Sequence, residues 1–226
     1  MPKSLRSGAG PRSRPRPATL PRDVLDELRR SAKRGRADDA LSRLSRAVEL
    51  LERGDPRGAA SEGEKAKALA PRAPSVREVL GLALYGQERF AEALREMQAY
   101  RRMSGRADQN HIVMDCLRAV GRTERIVPLA EEALRARITN EAKAEAIVVA
   151  AAALTDAGRF DEALAFLRRA RTRDDVGEDW VLRLWYVTAD VLERAGRVEE
   201  AVREFRKILR HDAGAFDVAE RLAQLG

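Results

Sequence analysis

The sequence predicts an all-α fold: a stack of about five antiparallel helix pairs, a capping helix at each end, and a disordered arm in front. Three observations carry that expectation. Aromatic residues make up only 4% of the 226 and charged residues 35%, so Leu, Val, Ile and Ala must build the core, a mix that favours helices over strands. Apolar residues recur every three to four positions and nowhere alternate. A turn signal also recurs, as Gly54-Asp55-Pro56, Glu88-Arg89-Phe90, Gly121-Arg122-Thr123, Gly158-Arg159-Phe160 and Gly196-Arg197-Val198, at steps of 34, 33, 37 and 38 residues.

The first unit is the arm, residues 1–21. Rich in proline and nearly free of large apolar side chains, it cannot bury enough surface to offset its ordering entropy. Residues 1–36 carry eleven Lys and Arg against three acidic residues, a net of +8, whereas the rest of the chain nets −1. Arg6, Arg12, Arg14, Arg16 and Arg22 are therefore candidates for contact with phosphates, RNA included, or with a partner's acidic face. The alternative is a solubilising tail. A transit peptide fits the Arg and Ser content, but the arm lacks the amphipathic helical pattern.

Residues 22–226 form the helical repeat domain. A helix over 22–34, with Val24, Leu25 and Leu28, is expected to cap one end. Pairs follow over 38–53 and 56–69, 76–87 and 90–103, 108–120 and 124–136, 141–157 and 160–171, and 179–195 and 198–210. A last helix over 215–224, with Phe216, Val218 and Leu222, caps the other end. Within a pair, the Gly of the turn signal takes positive φ and reverses the chain in two or three residues. Five residues after each turn begins stands a small or apolar residue, namely Ala59, Ala93, Ile126, Ala163 or Ala201. Seven further on, on the same helix face, come Ala66, Tyr100, Ala133, Ala170 and Ile208. Small residues there let helix axes approach closely. Ser75 to Glu78, after Pro74, reads as a capping box. No hairpin buries its apolar face alone, so successive hairpins must stack.

This pattern resembles the tetratricopeptide repeat family, whose signature is W-x2-L-G-x2-Y followed by A-x3-F and a terminal P. Trp185, Thr188, Ala189 and Leu192 with Ala201 and Phe205 carry the resemblance best. Leu80, Gly81 and Leu84 with Ala93 and Met97 carry it in the second repeat, and Ala59, Ala66 and Pro71 in the first. It covers residues 38–213 and implies a right-handed solenoid that serves as a non-enzymatic protein-protein interaction scaffold, gripping a peptide or helical segment in its concave groove. Carried over position by position, the groove residues are Glu78, Leu82 and Tyr85 in the second repeat, and Asp108, His111, Asp115 and Arg118 in the third. The fourth supplies Glu145, Val148 and Ala152, and the fifth Arg183, Tyr186, Asp190 and Glu193. Leu44 and Val48 stand where peptide-clamp members carry basic and amide residues, so the resemblance does not extend to a clamp for acidic tails.

Other functions lack their residues. The longest apolar run, Ala146 to Leu154, is nine residues, against roughly 18 to 20 for a membrane span. No apolar segment of signal-peptide type follows the basic start, so the protein is expected in the cytoplasm. A lone cysteine, Cys116, and two histidines, His111 and His211, argue against disulfide, zinc or redox chemistry. No phosphate loop or nucleophile elbow is present, and neither cofactor nor enzymatic activity is expected. Asp108, His111 and Asp115 share a helical spacing that sets an imidazole between two carboxylates and should raise its proton affinity. Trp185 belongs to the core, and Trp180 is a candidate partner anchor.

Overall fold

A computed structural model describes residues 20–170 and 178–225. The expected disorder of the arm and the side chains of Arg6, Arg12, Arg14 and Arg16 lie outside them. Arg22 is exposed at the start of the first helix.

Twelve α-helices and no strand occur among the described residues. They are α1 (Arg22–Ser31), α2 (Ala37–Glu52), α3 (Pro56–Leu69), α4 (Pro74–Tyr85), α5 (Phe90–Ser104), α6 (Asn110–Ala119), α7 (Ile126–Arg135), α8 (Asn140–Asp156), α9 (Phe160–Leu167), α10 (Asp179–Arg194), α11 (Val198–His211) and α12 (Val218–Leu225). Five pairs run from α2/α3 to α10/α11, each helix packed on its sequence neighbour, with α1 and α12 at the ends. None is long and apolar enough to cross a membrane.

One turn geometry closes every pair. Gly54, Glu88, Gly121, Gly158 and Gly196 have φ of 72°, 59°, 73°, 72° and 75°, the left-handed conformation that ends a helix. At each, two backbone bonds follow the same register. Gly54 N–H donates to Leu51 C=O at 2.9 Å and Asp55 N–H to Leu50 C=O at 2.8 Å; around Glu88 the bonds run to Tyr85 at 2.8 Å and from Arg89 to Leu84 at 3.0 Å. Leu117, Leu154 and Leu192 accept the equivalent longer bond in the later repeats. The orphan carbonyls of the first helix are thus satisfied as the chain reverses. Starts differ: Asp55 accepts from Gly58 N–H at 2.8 Å with Pro56 at the first helical position, whereas Arg89, Arg159 and Arg197 fork onto Glu92, Glu162 and Glu200 at 2.6–2.7 Å.

Close helix approach uses the small residues. Ala59, Ala93, Ile126, Ala163 and Ala201 are all fully buried. A Cβ at Gly63 would stand 3.2 Å from a Leu80 methyl, and one at Gly81 would overlap the Met97 sulfur, so both glycines sit in helix contacts that leave little room for a side chain. One apolar core runs from Ala59 to Val218, and a smaller cluster of Leu28, Ala40, Leu44, Ala66, Ala70, Ala73 and Val76 binds α1 to α2, α3 and α4.

Several boundaries move for local reasons. Ser75 does not cap: α4 begins at Pro74, and the Ser75 hydroxyl and N–H donate instead to Glu27 Oε1 of α1, at 2.6 and 3.0 Å. The third trailing helix starts at Ile126 after a 3₁₀ turn, Thr123–Arg125, because Pro128 fits only where its missing N–H has no helical partner. α9 stops at Leu167, followed by shorter i to i−3 bonds at Arg169 and Ala170, which leaves Ala170 half-buried. Phe216 does not enter the terminal cap; it precedes α12 at φ 53° and is 54% exposed, while Ala215 and Val218 are buried in its place.

Candidate functional site

The first helices of the pairs, α4, α6, α8 and α10, touch in succession. Bonds between them span about one repeat. Gln109 Nε2 donates to Glu78 at 2.8 Å, the Tyr85 hydroxyl to Asp115 Oδ2 at 2.5 Å, and Arg118, which also bonds Asp115 within α6 at 2.9 Å, to Asp156 at 2.8 Å. Arg194 extends that chain to Asp156 at 3.5 Å, and Arg183 meets Glu145 at 3.5 Å. Sequence separations of 30 to 38 residues match the repeat step, so the four helices stand in register and their polar side chains pair across one face.

At the far end α12 closes the face. Arg221 donates to Asp190 at 2.9 Å, to Glu193 at 2.7 Å and to the Tyr186 hydroxyl at 3.2 Å, with its guanidinium 5.0 Å from the Phe205 ring centroid. Burial works against its charge, yet these bonds hold its pKa above the usual guanidinium value. Tyr186 in turn donates to Asp217 at 2.7 Å and lies 4.7 Å from the Phe216 ring.

The anticipated Asp108, His111, Asp115 arrangement does not form. Asp108 precedes α6 and accepts from the Tyr100 hydroxyl at 2.9 Å while pairing with Arg106 at 2.5 Å. Asp115 is taken by Tyr85 and Arg118. Burial then dominates His111 and pushes its pKa down, against the pull of Glu145, so its proton affinity falls instead of rising. Its Nδ1 is buried without a hydrogen-bond partner. Glu78 is pushed up by burial, with the Gln109 bond opposing. Cys116 is fully buried, and burial pushes its thiol up to about 12, which leaves it protonated and inert at neutral pH.

Two clefts flank this face. The larger, of about 1020 Å³, is lined by Asp108, His111 and Glu145 together with Arg106, Arg135 and Arg137. The smaller, of about 410 Å³, shares Glu141 and Glu145 with it and adds Trp180, Arg183 and Phe216. Of the residues expected in a groove, Leu82, Tyr85 and Tyr186 lean on the core, and Val148 is buried outright. Trp180 is half-buried and its indole N–H donates to Glu178, while Trp185 is 4% exposed. Gln109, Asp156, Arg194, Asp217 and Arg221 were missed. The repeat step could have found Gln109, which stands 31 residues after its partner Glu78.

Residues 113–214 match the sequence profile of a tetratrico peptide repeat family. No curated protein matches the chain by sequence. Among solved structures, YrrB, described as a TPR protein with an unusual peptide-binding site, is 18% identical, with 82% of this chain and 92% of that one covered and a TM-score of 0.57. TTC0263, a thermophilic TPR protein of Thermus thermophilus, is 19% identical over 82% and 98%, with a TM-score of 0.58. The apo form of the quorum sensor NprR from B. thuringiensis is 14% identical over 90% of this chain but 64% of that one, with a TM-score of 0.69.

Proposed function

From the premise that this chain is a tetratricopeptide-type helical repeat protein, we propose that it is a non-enzymatic, cytoplasmic scaffold that binds a peptide or helical segment along the face of α4, α6, α8 and α10. The in-register bonding of those four helices carries the reading, because it pre-organises one extended surface and so lowers the cost of ordering on association. YrrB, which shares the fold, is described as having a peptide-binding site. The partner's contacts are assigned to Glu78, Leu82, Tyr85, His111, Arg118, Glu145 and Arg183, with Asp108, Asp115, Tyr186, Asp190 and Glu193 holding the surface in shape.

The test is a peptide-library screen with the full chain, followed by calorimetry on the best ligand. His111→Ala and Arg183→Glu are expected to weaken it at least tenfold with unchanged melting. Unchanged affinity in both would remove the assignment. A second reading, an RNA-associated factor, rests on the charge partition, since residues 1–19 hold Lys3, Arg6, Arg12, Arg14 and Arg16 and no acidic residue. Nuclease-sensitive capture that depends on those residues would favour it.

A further inference from the structure

We propose that the cationic arm, residues 1–19, docks in cis on the smaller cleft at the amino-terminal ends of α8 and α10. The inference rests on the reading of this face as a binding surface and names an occupant for it.

The cleft is built for a cation. Among the described residues, Glu141, Glu145, Asp179 and Asp212 line it against Arg183, which pairs with Glu145, whereas the larger cleft beside it sets three arginines, Arg106, Arg135 and Arg137, against its four carboxylates. Its apolar walls include Trp180 and Phe216, and Phe216 is one of two exposed large hydrophobic residues among those described. A guanidinium or ammonium group placed over an aromatic face with carboxylates around it gains from both.

The chain supplies that cation itself. Residues 1–19 carry five basic side chains and no acidic one. Their root is well placed: Leu20 lies against the cluster that joins α1 to α4, and Glu27 of α1 bonds Ser75 at the amino-terminal end of α4. From there to α10 are three steps between first helices, roughly 30 Å at 8–10 Å each. Arg6, fourteen residues before Leu20, can reach roughly 45 Å when extended. A tether of this length gives an effective concentration on the order of 1 mM, so even a segment with a dissociation constant of about 100 µM would occupy the cleft most of the time.

Trp180 provides the readout, because the only other tryptophan, Trp185, is buried. The synthetic peptide of residues 1–19 is titrated into the full chain and into the full chain with Arg6, Arg12, Arg14 and Arg16 changed to Ser, with tryptophan emission followed at low salt. The substituted chain is expected to bind the peptide with a change in emission that Trp180→Phe removes. The unaltered chain should bind it about tenfold more weakly, since its own arm competes. Asp179→Lys with Asp212→Lys should abolish the response. Equal affinity in the two chains, or no binding to either, overturns the proposal. If the arm peptide fails while a library peptide binds and is weakened by Arg183→Glu, only the arm inference falls. If neither peptide binds, the binding-surface reading falls with it. Should the arm substitutions abolish RNA binding and leave the peptide titration flat, the arm belongs to nucleic acid.

Discussion

Glu88 is where one residue departs from the repeat and the structure shows the consequence. Four of the five turns place Gly in the left-handed region and this one places Glu at φ 59°, with no side-chain hydrogen bond described to compensate. A side chain there costs roughly 1 to 2 kcal/mol, while Gly adds about 0.4 to 1 kcal/mol of unfolded-state entropy. Glu88→Gly is therefore expected to stabilise by about 1 kcal/mol and raise the melting temperature by roughly 2–4 °C. A lower midpoint in thermal or urea unfolding would contradict the assignment of this turn. Glu78 offers a pH test. Burial raises its pKa, so its favourable contribution is present below the ordinary carboxylate range and is lost as pH rises through the folded value. Glu78→Gln keeps an acceptor for Gln109, so its stability relative to the unaltered chain should grow from about pH 4 to pH 7. A difference that does not change with pH would mean that Glu78 is not desolvated. Neither effect was fully legible beforehand: the spacing marked Glu88 as the odd turn, but no local signal showed that Gln109 and α6 would cover Glu78.

At the scale of the helix, the periodic alanines were legible and the ends were not. Ala163 and Ala201 stand fully buried between paired helices, as their place five residues after each turn requires. Replacing either with Leu should overpack the contact and cost roughly 1 to 3 kcal/mol. Calorimetric melting of both variants measures this, and two unchanged transitions would place these residues outside any helix contact. Helix starts depended on partners distant in sequence. Ser75 with Glu78 has the letters of a capping box, but Glu27, 48 residues earlier, accepts the Ser75 N–H that Glu78 would take in such a box, and the Ser75 hydroxyl donates to Glu27 instead of accepting from the helix. Of the groove residues implied by the repeat register, all but Asp108, which precedes α6, fall on α4, α6, α8 and α10, but their pairing was not foreseeable. His111 has carboxylates at the correct helical spacing, and Tyr100, Arg106, Tyr85 and Arg118 draw them away from it.

For the whole molecule, the basic end falls into two parts. Of the eleven basic residues within 1–36, Arg22, Arg29 and Arg30 lie on α1, inside the helix expected over 22–34, and Lys33, Arg34 and Arg36 lie in the turn that follows it. α1 is a structural cap. Leu28 is fully buried in the cluster with Leu44, Ala66 and Val76, and Glu27 ties α1 to α4 through Ser75. A solenoid end stripped of its cap exposes that apolar surface. A chain beginning at Leu20 should therefore melt with the full-length protein, whereas one beginning at Ala37 should lose at least the roughly 2–5 kcal/mol of a large buried side chain and melt several degrees lower. The same pair separates charge from fold. If the five basic residues before Leu20 held nucleic acid, affinity in the intact chain should fall by roughly two to three orders of magnitude between 50 and 200 mM salt, and the Leu20 chain should lose it. Should the Leu20 chain keep its nucleic-acid affinity and only the Ala37 chain lose it, the contact would lie on α1 and the turn behind it. Equal melting of all three chains would show that α1 does not cap the repeat stack.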